Sequence, residues 1–143
     1  GAVAGLVAIT PAAGFVTPTA AIVIGFLAGS VCYFAVNLKS KFNYDDSLDV
    51  VGIHGAGGIL GSLLVGVFAT VLINPDGTNG LIFGSFHLLY VQIISTAASI
   101  AFSFFGTCII LKFLGMFTEL RITETQEMKG LDITQHSENC YRL

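Results

Sequence analysis

From Gly1 to Leu38 the chain carries no acidic, basic or histidine side chain. Drawn out as one helix, this stretch would be roughly 57 Å long, nearly twice the hydrocarbon thickness of a bilayer. It therefore reads as more than one span. The break is "TPAAGFVTP", Thr10 to Pro18, where two prolines and a glycine end one helix and start another. With hydrophobic residues at 54% and charged ones at 10%, the composition is that of a membrane protein and not of a soluble globule.

The rest of the chain divides by the same logic. Residues 1–10 read as the end of one transmembrane helix, and 18–38 as a complete one. "KSKFNYDDSLD" then breaks the apolar pattern, and its acidic residues suit the start of a third span, 46–73. "NPDGTNG", Asn74 to Gly80, is a dense turn cluster. A long fourth span, 81–113, meets no charge before Lys112. At roughly 46 Å to that point, it must tilt or project beyond the lipid. Residues 114–143 form a polar tail. The expected fold class is all-α, a polytopic membrane helical bundle.

Charge placement predicts orientation. Lys39 and Lys41 lie between the second and third spans, while Lys112, Arg121, Lys129 and Arg142 lie at or after the end of the fourth. All six cations thus fall on one side, which the positive-inside rule makes cytoplasmic, and the tail is expected there. Gly1 is not a methionine and no basic region precedes the first apolar stretch, so no signal peptide is expected and the chain reads as the C-terminal part of a longer protein. The net charge of -3, without basic clusters, argues against nucleic acid. Cys32 and Cys108 sit in apolar runs and Cys140 in the tail, a poor fit to a disulfide framework. No catalytic triad, phosphate loop, cofactor motif or metal-ligand set is present, so neither an enzyme nor a cofactor is expected.

One titratable group stands out in "DVVGIHGAGGILGSLLVGVF", Asp49 to Phe68: His54. On an α-helix its face continues through Gly57, Gly58 and Gly61, with Val50 one turn before it. Those glycines either let a neighbouring helix approach closely or leave a lumen beside the ring. A helix beginning near Asp45 would put His54 ~13 Å along it, close to mid-membrane. An intramembrane imidazole is a functional candidate, since its neutral form both donates and accepts hydrogen bonds. The plainer alternative is a core histidine bonded to a neighbouring helix. Asp49 reads as a helix-start acceptor, and His87 as an interface residue after the outer turn.

"AGLVAITPAAGFV" (Ala4 to Val16), "DVVGIHGAGGILGSLLVGVF" and the tail "LRITETQEMKGLDITQHSENCY" (Leu120 to Tyr141) resemble the Amt ammonium transporter family of the Amt/Rh superfamily. The match runs in order over essentially the whole chain. The resemblance implies the C-terminal four or so helices of an eleven-helix subunit in a homotrimer of the plasma membrane. Each subunit would hold a narrow apolar pore lined by two histidines. It makes His54 the second of that pair and a proton-relay candidate, and Val50 a pore-wall residue. Asp49, Gly57, Gly58 and Gly61 become structural neighbours of the pore. The first histidine, the aromatic recruitment site and the phenylalanine gate would lie on earlier helices. The implied substrate is ammonium or ammonia, with methylammonium as analogue. The expected partners are membrane lipid, sister subunits and a cytoplasmic PII-type regulator. The resemblance also makes the tail a regulatory element, with Gly130 as a turn and Thr134, near Asp132, as the place where a switch could act. Two other classes fit the same residues: an ammonium sensor, and a structural membrane subunit.

Overall fold

The computed structural model describes residues 1–138; Cys140 and Arg142 lie outside the described residues. Those residues are all-helical where they are regular. They fall into two compact units, one from Gly1 to Ile100 and one from Ala101 onward.

In the first unit, α1 (Ala2–Ile9) runs into a short 3-10 turn, Thr10–Ala12, with Pro11 in its first turn. α2 (Pro18–Phe42) begins as its local chemistry dictates. Pro18 takes the first helical position, where its missing N–H costs nothing, and Thr17 Oγ1 accepts from the Ala20 amide at 3.3 Å. Asn43, in the left-handed conformation, ends it. The next helix opens with a single π turn, Val51–Gly55, and continues as α3 (Ala56–Phe68). α4 (Phe86–Leu114) begins in the first unit and ends in the second. Among the described residues three helices are long and apolar enough to cross a membrane: Pro18–Phe42, Val51–Phe68 and Phe86–Leu114.

The third and fourth helices are shorter than expected, each for a local reason. The third starts after the turn at 46–49. It stops at Phe68 because Ala69 is extended and buried Thr70 donates its N–H to the Phe15 carbonyl at 2.9 Å, tying this loop to the α1–α2 break. The fourth starts at Phe86, because Gly84 takes a φ of 86° after a 3-10 turn at Leu81–Phe83.

The core is narrow and built of small side chains. Ala4, Ala8 and Ala12, then Val16, Ala20, Ile24, Ala28 and Cys32, recur every fourth residue as a buried stripe across α1, the break and α2. Val65 of the third helix and Ala69 just beyond its end cover it. Alanine and glycine bury little apolar area, but they let helix backbones approach and gain dispersion contacts, which is how helices associate in lipid. No residue of α4 is buried in this chain.

Among its described residues the second unit holds two short helices, α5 (Glu124–Lys129) and α6 (Leu131–His136). Thr123 and Gln126 cap α5 reciprocally, and Gly130, at φ 94°, joins the two. The Thr134 hydroxyl donates to the Gly130 carbonyl at 2.8 Å and reaches the Gln126 carbonyl at 3.5 Å.

Candidate functional site

His54 sits on the π turn, not in regular α-helix. Single π turns insert one residue into the helical repeat and recur at functional sites. Counted from Val51, the ring is about 5 Å along its helix, which corrects the ~13 Å expected from a start near Asp45.

Three points on one face of α2 hold this turn. Cys32, Val36 and Lys39 are spaced as i, i+4 and i+7, so they lie in line. At Val36 the backbones almost touch: a Cβ on Gly52 would come within 2.7 Å of Val36 Cγ2 and 2.9 Å of the Val36 amide nitrogen. Only a glycine permits that crossing. Below it, the Cys32 thiol donates to the Ile53 carbonyl across 3.8 Å. Above it, Lys39 Nζ donates to Asp49 Oδ1 at 2.5 Å and to the Asp46 carbonyl at 2.8 Å.

The helix start itself is capped by Asp46. Its Oδ1 accepts from the Val50 amide and its Oδ2 from the Val51 amide, each at 2.8 Å. Such a cap is worth about 1 kcal/mol, and here one carboxylate satisfies two orphan donors. The acceptor role expected of Asp49 therefore belongs to Asp46. Asp49 directly precedes Val50 in the left-handed conformation, φ 56°, and turns the chain into the helix while its carboxylate pairs with Lys39. The two side chains stay 29% and 33% exposed, so the pair adds less than about 1 kcal/mol to stability.

The glycines around His54 divide between two tasks. Gly57 and Gly61 are buried. A Cβ on Gly57 would meet Cys32 Sγ at 3.2 Å, and one on Gly61 would be driven into the carbonyl of Ala8 in α1. These two are where helices close in. Gly58 has nothing within 4 Å of a built Cβ. It lies with His54 and Ser62 along one wall of an open groove of about 600 Å³. The facing wall is Val3, Leu6 and Thr10 of the α1 segment. So close approach and open space coexist on one helix, one residue apart.

His54 is exposed to that groove, and its imidazole makes no hydrogen bond among the described residues. The groove is mostly apolar. Of its few polar groups, the Thr10 hydroxyl already donates to the Leu6 carbonyl at 2.7 Å. Val50 is 48% exposed one turn before His54 and is not part of the groove wall. His87 opens α4 and His136 ends α6; neither lines the groove. Among the described residues no three His, Cys, Asp or Glu side chains converge as metal ligands. Sequence reasoning passed over Val36 and Gly52; it counted Asp46 only among the acidic residues suited to the helix start and Lys39 only for orientation. The one usable signal was an opposite-charge pair, Lys39 and Asp49, flanking a short turn.

Comparison with known proteins gives this geometry a context. Residues 1–141 match the Ammonium Transporter Family. An ammonium transporter of Bacillus subtilis is 50% identical over 99% of this chain and 35% of its own length. The ammonium transporter Amt1 of Archaeoglobus fulgidus is 47% identical over 99% of this chain and 36% of its own. The crystal structure of Saccharomyces cerevisiae Mep2 superposes with a TM-score of 0.79 at 38% identity, covering 87% of this chain and 29% of that one. The chain thus spans about a third of the length of the relatives it matches. With the family match running over nearly every residue and the helical arrangement shared with a solved relative, the chain belongs to the ammonium transporter family.

Proposed function

We infer that these residues are the C-terminal part of a subunit that passes ammonium or ammonia across the cell membrane, and that His54 lines its pore. The observation that carries this reading is the exposed, unbonded imidazole of His54 on a largely apolar groove kept open at Gly58. Bare ammonium loses its hydration at great cost in such surroundings. Shedding a proton and crossing as ammonia removes most of that cost. A neutral imidazole has a donor and an acceptor on opposite edges of one ring, so it can hand on a small polar molecule or a proton without binding it tightly. The transport is a passage and involves no enzymatic conversion.

Further features of the reading extend beyond the residues in hand. A partner histidine and an outer recruitment site belong to preceding helices, and three subunits assemble as a homotrimer. The cation-rich side, with the C-terminal tail, faces the cytoplasm, where a PII-type regulator could reach it. A structural-subunit role would instead have His54 bonded to a neighbouring helix. The test is methylammonium uptake by the full-length protein in proteoliposomes, comparing wild type with His54→Phe. Uptake lost with folding retained supports the pore; uptake retained removes it.

A further inference from the structure

We propose that Lys39, Asp46 and Asp49 form a clasp that positions His54, so that these three residues set transport rate without touching the transported species. The inference rests on the pore reading of His54 and adds to it residues acting through the backbone.

The geometry makes the link short. Lys39 Nζ bridges the turn between the helices at two points, the Asp49 carboxylate and the Asp46 carbonyl. Asp46 in turn holds the first two amides of the His54 helix, those of Val50 and Val51, through separate carboxylate oxygens. Asp49 supplies the left-handed residue that aims the chain into the π turn, and its side chain is anchored to α2 by the same lysine. One ammonium group therefore ties the end of α2 to the start of the helix carrying His54. Below the clasp, the Gly52–Val36 crossing acts as a fulcrum, because neither backbone can move toward the other. If the clasp loosens, the π turn pivots on that crossing and the imidazole shifts along the groove. The ion pair is too exposed to contribute much stability. Its consequence is in placement, and a displacement of about 1 Å at a working group is enough to cost large factors in rate.

The test uses the full-length transporter in proteoliposomes, with methylammonium as the probe. Variants are Lys39→Met, Asp49→Asn, Lys39→Arg and the exchange Lys39→Asp with Asp49→Lys, with His54→Phe as reference. Lys39→Met is expected to lower maximal uptake about tenfold while the half-saturating concentration changes less than about twofold, since recruitment is untouched. Assembly and thermal unfolding stay near wild type. Lys39→Arg restores most of the rate, whereas the exchanged pair does not, because a carboxylate at position 39 has no proton to donate to the Asp46 carbonyl. The clasp is overturned if Lys39→Met and Asp49→Asn transport like wild type while His54→Phe is blocked. It is also overturned if lost uptake only tracks lost folded protein in every variant, which would make the residues merely structural. Uptake surviving in His54→Phe would instead remove the pore reading on which the clasp depends.

Discussion

Gly61 of α3 meets Ala8 of α1 with no space for one added methyl group, because a Cβ on Gly61 would be driven into the Ala8 carbonyl. Backbone, not a flexible side chain, is the obstacle, so the helices must separate to admit it. Gly61→Ala is expected to destabilise the protein by ~1–3 kcal/mol. Thermal unfolding in detergent measures this. An unchanged unfolding temperature would show that the two helices do not meet in this register.

Gly58 is expected to behave oppositely, although it lies three residues away on the same helix. A built Cβ there meets nothing within 4 Å, and its neighbours along the groove are His54 and Ser62. Gly58→Ala should leave stability within about 0.5 kcal/mol, and Gly58→Leu should fold yet obstruct the groove. Unfolding and uptake measured on the same preparations separate the two effects. A Leu variant that transports freely would place the conduit elsewhere.

Asp46, not Asp49, should carry the capping energy. Asp46→Ala leaves the Val50 and Val51 amides without their acceptor and is expected to cost about 1–2 kcal/mol. Asp49→Ala loses only a part-exposed pair and should cost under about 1 kcal/mol. Equal losses in denaturant titration would refute this division.

These contrasts show what the sequence could reveal and what it could not. The all-helical membrane architecture was legible because hydrophobic length and Pro/Gly breaks act locally; Thr17 and Pro18 start α2 by chemistry within four residues. Gly57, Gly58 and Gly61 could not be sorted by inspection, because their difference lies in what crosses them: Cys32, nothing, and Ala8. The same holds for the two aspartates. Asp46 and Asp49 are the same residue type three positions apart, and only the left-handed backbone at Asp49 and the nearness of Lys39 assign their roles. The π turn was invisible for a like reason, since it coincides with a tertiary crossing at Gly52 and Val36.

The tail yields a prediction about charge. The Thr134 hydroxyl donates to the Gly130 carbonyl and reaches that of Gln126. A carboxylate or phosphate there has no proton to donate and is repelled by the same oxygens and by nearby acidic side chains. Thr134→Asp is therefore expected to loosen the α5–α6 corner and lower uptake, whereas Thr134→Ser keeps the donor and is mild. In cells co-expressing wild-type and Thr134→Asp subunits, uptake should fall more steeply than the mutant fraction if tails couple neighbouring pores. A proportional fall would leave the tail a passive end.

The central claim is that His54 borders the path of the transported species, and its most direct test is methylammonium uptake by His54→Phe. Phenylalanine nearly matches imidazole in shape but can neither donate nor accept a hydrogen bond, and it is bulkier in the groove. Purified full-length wild type and variant, reconstituted at equal protein and checked for equal assembly, are compared for initial rate. The account predicts that uptake falls to the background of empty vesicles while assembly and unfolding temperature remain unchanged. A variant that assembles normally and transports at the wild-type rate would contradict it.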